Sequence, residues 1–159
     1  MASAEGSRVA RRLADLGIVL PRRSVPPALY SPWQRAGNRV SVAGQPPYVD
    51  GAIRYRGKVG AALSLEEGVD SARISALNVL AHLAHACEGD LDRVACCVDM
   101  IVFVNAAPHF HDVHKVADGA SALLAQVFDP LAPPARSSLG CVVLPMDIAT
   151  EVQASFYLR

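Results

Sequence analysis

The chain has 159 residues, 52% of them hydrophobic, and 15 basic residues balance 15 acidic ones for a formal net charge of zero. That length suits one domain around a single core. Nothing in that balance advertises a polyanion partner, since nucleic-acid binders usually carry a basic stripe that neutralises phosphates.

No apolar segment reaches the roughly 18 residues that a membrane span needs, and no apolar h-region opens the chain. Cys87, Cys96, Cys97 and Cys141 show no C-x-x-C spacing, and three lie in apolar runs. They read as reduced core residues. The expectation is a soluble, cytoplasmic protein with no membrane partner.

Residues 5–17 place Val9, Leu13 and Leu16 at helical spacing, which predicts a short amphipathic helix ending near Gly17. "PRRSVPP" (21–27) is a proline-punctuated linker. The expected organisation is residues 1–26 as helix and linker, and 27–159 as one domain. "NRVSVAGQ" (38–45) alternates apolar and polar residues and predicts a strand. A turn at Asp50-Gly51 leads to an expected second strand over 52–60.

Ser64, with Glu67 three residues on, marks a helix start. Ala72, Ala76, Leu77, Leu80, Leu83, Ala84 and Cys87 then form one apolar stripe, closed near Gly89. The β-branched run 93–106 predicts a central strand. Pro108 suits the first turn of the next helix, whose face is Val113, Val116, Ala117, Ala120, Leu123, Leu124 and Val127. Strands are expected at 136–144 and 149–158. The fold class is therefore α+β, a mixed sheet with two long helices on one face. The chain offers no third long helix for the other face, so a second copy is an economical cover for it.

The motifs and element order together resemble the RidA family (YjgF, "endoribonuclease L-PSP"). The resemblance rests on "VAGQPP" (42–47), "GKVG" (57–60), "NVLAHL" (78–83), "VFVN" (102–105), "PPARSSLGCVVLP" (133–145) and "EVQASF" (151–156). "GKVG" and the loop before Arg136 point to a longer subgroup. The resemblance implies a chorismate-mutase-like fold, a homotrimer with a barrel-like centre, and clefts between subunits. It also implies hydrolysis of 2-imino acids and enamines such as 2-aminoacrylate to 2-keto acids and ammonium, with no cofactor and no metal.

The residue types fit that chemistry. A guanidinium grips a carboxylate with two parallel hydrogen bonds, and Arg136 aligns with the family's substrate arginine. Glu151 aligns with its water-positioning glutamate. The resemblance also implies that backbone groups near Gly44 and Cys141 complete the substrate cradle. Trp33 stands where a tyrosine is expected and Ala43 where a serine often precedes Gly-Gln. His114 takes the place of an asparagine facing the site and adds a titratable donor. These departures suggest a different or larger substrate, or a weakened deaminase.

Rival signals are weaker. "HFHDVH" (109–114) sets His111 and His114 three apart, but zinc needs a third protein ligand. Cys141 as a nucleophile would need an exposed thiolate beside a base. The alternative is a catalytically slow trimer that binds small carboxylates. A ribonuclease ranks third, since the neutral chain offers no placed histidine/lysine pair.

Overall fold

The computed structural model describes residues 6–26 and 28–159. Residue 5, the expected helix start, and Pro27, the expected domain boundary, lie outside the described residues. Three helices are α1 (Arg8–Asp15), α2 (Leu65–Ala86) and α3 (Val113–Phe128). Strands β1 (Trp33–Ala36), β2 (Arg39–Gln45), β5 (Val94–Asn105), β6 (Ala135–Cys141) and β7 (Thr150–Leu158) form one sheet in the order β1-β2-β7-β5-β6. Only β5 and β6 run parallel; the other neighbours are antiparallel. Strands β3 (Tyr48–Val49) and β4 (Ala52–Ile53) make a separate two-stranded hairpin. The expected α+β class, mixed sheet and two long helices are all present.

Period-two alternation decides which sheet face is buried. In β7, Val152, Ala154, Phe156 and Leu158 are buried, as are Val40 and Val42 of β2 and Met100, Val102 and Val104 of β5. The opposite face carries Glu151 and Gln153. α2 begins with the predicted capping box: Glu67 N–H donates to Ser64 Oγ at 3.1 Å, and Ser64 N–H to Glu67 Oε2 at 2.8 Å. Gly119 lets α3 lie close to α2, because a β-carbon there would meet the Val69 carbonyl carbon at 2.9 Å.

Several expectations are corrected. The strand expected over 52–60 shrinks to Ala52–Ile53, because Gly57 and Gly60 take positive φ and bend the chain. Strand β1 was not expected; it is a short edge strand with little alternation. β5 is interior, but β7 holds the centre of the sheet. α3 begins at Val113 rather than near Pro108, since residues 107–112 form a turn that lays Phe110 over Gly60.

The first helix is pinned from outside its own sequence. Ser7 caps it, and the Asp92 carboxylate accepts from the N–H groups of Arg8 at 2.6 Å and Val9 at 3.0 Å. Burial alone pushes the Asp92 carboxyl upward, yet the Val9 and Arg8 N–H groups, the Ser7 hydroxyl and the Arg8 charge together hold it below its usual range. Asp92→Ala is expected to cost about 1–2 kcal/mol of local stability. Hydrogen exchange should quicken in α1 before any other element. The support is present above the unfolded carboxylate range and is lost as pH falls through the lower folded value. Wild-type α1 protection should therefore drop in acid, and the variant should lack that step.

Candidate active site

The pairing of β2 with β7 slips by one residue between Val42 and Gln45. The extra residue is a β-bulge, which bends the strand and re-aims its neighbours. It presents Ala43 and Gly44 to the start of β7, where Glu151 stands. A β-carbon on Gly44 would lie 2.5 Å from Glu151 Cδ and 2.7 Å from Cγ. Only glycine leaves room for this carboxylate.

Glu151 sits in a cavity of about 350 Å³. Ala43, Gly44 and Gln45 line one side, Pro145, Met146 and Ile148 another. The linker closes it with Ser24, Val25, Pro26 and Tyr30, beside Tyr48. Burial raises the Glu151 carboxyl above its ordinary value. No hydrogen bond to its side chain occurs among the described residues, so its oxygens are available to water or substrate. Gln45 is almost fully buried; its amide donates to the Ala43 carbonyl at 3.0 Å, and its oxygen accepts from Ser24 at 3.4 Å. These contacts fix the linker to the bulge.

The lip formed by Met146 and Asp147 is strained, with φ of 56° at both residues. Its neighbours hold it: Asn105 donates to Asp147 Oδ1 at 3.1 Å, Gly57 N–H to the Asp147 carbonyl at 2.8 Å, and Arg56 to the Met146 carbonyl. Lys58 donates to Asn105 Oδ1 at 2.7 Å and also to the Val142 carbonyl. The "GKVG" segment thus braces the connections that frame the cavity.

The expected site residues divide into two groups. Glu151, Gly44 and Ala43 share the cavity. Cys141 lies on the same sheet face, near enough that Glu151 influences it. Burial raises its thiol most, Glu151 adds to the rise, and Lys58 opposes it. Arg136 is elsewhere. It pairs across β5 with Met100, on the buried face, whereas Glu151 pairs with Phe103 on the open one. Its guanidinium donates to Asp118 Oδ1 and Ser121 Oγ, each at 2.8 Å, and to the His114 carbonyl at 3.1 Å. Within one chain, Arg136 and Glu151 do not meet.

Two further residues stand away from this cavity within one chain. Trp33 does not line the cavity, because its pairing with Val42 turns it to the helix side. There its ring meets His85 edge-on at 5.7 Å. Tyr30, three residues earlier, supplies the cavity's aromatic wall and a phenol. Its position after the prolines and outside any strand was the overlooked signal. His114 is exposed, and its backbone carbonyl accepts from Arg136 at 3.1 Å. No group of three His, Cys, Asp or Glu side chains is placed to share a metal among the described residues.

Two outcomes follow from this geometry. Gly44→Ala should preserve the fold but drive the Glu151 carboxylate out of its niche, lowering its pKa toward the ordinary carboxylate range. A ¹³C NMR titration of the side-chain carboxyl checks this. A carboxyl whose folded pKa is raised costs stability as pH climbs through the unfolded value toward the folded one. Glu151→Gln should therefore raise Tm at neutral pH, and the gain should vanish below the ordinary carboxylate range in a pH series of thermal melts.

Comparisons with known proteins agree with this architecture. The family model described as "YjgF/chorismate mutase-like, putative endoribonuclease" matches residues 10–154. Protein TCP17 of Trypanosoma cruzi is 39% identical over 155 residues, covering 97% of this chain and 96% of that protein. The crystal structure of Atu1372 from Agrobacterium tumefaciens is 32% identical, with TM-score 0.87 over 95% of this chain and 93% of that one. Escherichia coli TdcF, solved with bound serine, shares the fold at 21% identity and TM-score 0.61, covering 88% of this chain and 94% of that one.

Proposed function

We propose that this chain, which belongs to the YjgF/chorismate mutase-like (RidA) family, is a cofactor-independent hydrolase of 2-imino acids and their enamine tautomers. The products are a 2-oxo acid and ammonium. One observation carries the reading: Glu151 is half-buried, without a hydrogen-bond partner among the described residues, and aimed into a cavity of substrate size.

The chemistry needs one water and one proton shuttle. Glu151 takes a proton from the water as its oxygen bonds to the imine carbon, and the C=N electron pair moves to nitrogen. The protonated Glu151 returns the proton to that nitrogen. With the imine nitrogen protonated at the outset, the C–N bond then breaks as Glu151 takes the hydroxyl proton and the carbonyl forms, and the released ammonia accepts that proton and leaves as ammonium. A carboxyl with a raised pKa serves both steps, because it stands closer to the working pH in each direction. Tyr30 adds a phenol at the cavity wall.

The substrate carboxylate needs a cation, and Arg136 is the family's candidate. Because Arg136 and Glu151 occupy opposite faces of one sheet, the reading requires two copies, with Arg136 of one completing the cavity of the next. A cytoplasmic homotrimer meets this requirement and covers the open face. TdcF, whose structure carries serine, supports a small amino-acid-like ligand for the fold. A second reading, a slow carboxylate-binding trimer, is favoured by the Asp118 carboxylate already paired with Arg136 at 2.8 Å.

A coupled assay tests the proposal. An amino-acid oxidase generates 2-imino acids, and semicarbazide traps what the enzyme leaves. Glu151→Gln should lower kcat by about 10²–10⁴. It should also remove the acid limb of the wild-type profile, in which activity falls as pH drops through the raised Glu151 value. Arg136→Ala should act mainly on KM, by about 10–100-fold. Absence of hydrolysis with every side chain, from a folded oligomer, would leave the binding reading.

A further inference from the structure

A second cavity, of about 490 Å³, adjoins the first across the linker. The two share Ser24, Val25 and Tyr48 as their dividing wall. Arg22 and Arg23 line the second one. Among the described residues neither makes an ion pair or a side-chain hydrogen bond, as is also true of Arg11, Arg73 and Arg159, whereas Arg8, Arg12, Arg39, Arg93 and Arg136 have acid partners. Asp50 also lines the cavity but pairs with neither arginine, so two positive charges face one negative.

The pair is not free to drift with a floppy tail. Pro21 and Pro26 restrict the segment, and Ser24 is tied to the buried Gln45 at 3.4 Å. Arg23 also rests near α2. Its charge, after burial, helps keep the buried His82 neutral. Two exposed arginines therefore line a cavity that adjoins, across Ser24, Val25 and Tyr48, the one that holds Glu151.

We propose that Arg22 and Arg23 form a subsite for a second carboxylate at the far end of the substrate. The preferred substrate class is then dicarboxylic 2-imino acids over those with neutral side chains. This rests on the deaminase reading and extends it. A planar guanidinium takes a carboxylate through two parallel hydrogen bonds, and two of them outweigh the single Asp50 charge. The same arrangement leaves a short apolar side chain with nothing to engage in the second cavity.

Binding separates this inference from the reading beneath it. The probes are the product-like acids 2-oxoglutarate and 2-oxopentanoate, which share a carbon chain and differ by a distal carboxylate or methyl. Titration calorimetry should show 2-oxoglutarate binding the wild type at least about tenfold more tightly. Arg22→Ala/Arg23→Ala should bring the two acids to within about twofold. Arg11→Ala/Arg159→Ala, equal in charge, should leave the preference intact. Equal binding in the wild type, or a preference that survives the Arg22/Arg23 change, overturns the subsite while imine hydrolysis stands. No binding of either acid, together with no hydrolysis in the coupled assay, overturns the deaminase reading and the subsite with it.

Discussion

The contact between Gly44 and Glu151 is the constraint on which the site depends. A carboxylate can be half-buried without hydrogen bonds only if something else leaves it room and limits its solvation. The bulge in β2 does the first by removing a β-carbon from its path. The linker and the strained lip at Met146–Asp147 do the second. The resulting carboxyl titrates above its usual range, a cost in stability spent on a group suited to moving protons. Lys58, Asn105 and Arg56 sit outside the cavity, yet they hold the lip that shapes it.

The linker between α1 and β1 has a second part to play. It contributes no regular structure, but together with Tyr48 of β3 it touches both cavities. Its fixed points are local: Ser24 against Gln45, and prolines that narrow the backbone's choices. Behind it α2 turns a polar flank inward. Ser71 and Ser75 satisfy each other's needs through Thr150, at 2.7 and 2.9 Å. His82 is fully buried with both ring nitrogens unpartnered among the described residues, and burial keeps it neutral. The flank tolerates that imidazole only while the proton stays away, and the Arg23 charge beside it works in the same direction.

Much of the fold was legible because its signals are local. The capping box at Ser64, the stripe down α2 and the alternation in β2 and β7 each need only neighbouring residues. What escaped detection depends on distant partners. β1 exists because β2 offers it an edge. The segment 52–60 could not extend as a strand once Gly57 and Gly60 turned it. Trp33 reads as a cavity wall because it stands where the family has a tyrosine, but register with Val42 sends it to the helix side. Register is a tertiary property, and a one-residue difference reverses the face. Glu151, Gly44 and Ala43 were found together because the bulge that joins them lies within the quoted motifs.

Register also governs the hardest question, the relation of Arg136 to Glu151. The β5 strand pairs with both of their strands, and their partners Met100 and Phe103 lie three positions apart. An odd separation along one strand puts them on opposite faces, whatever their side-chain rotamers. No local motion of a single chain brings the guanidinium to the carboxylate. A reaction that uses both must therefore be assembled from two copies, and the Asp118 carboxylate then acts in each copy as a placeholder. It keeps the Arg136 fork oriented, and on the proposed reading a substrate carboxylate competes with it. On that reading, the proposed contact with Arg22 and Arg23 at the far end of the substrate offsets the competition without altering the reacting end.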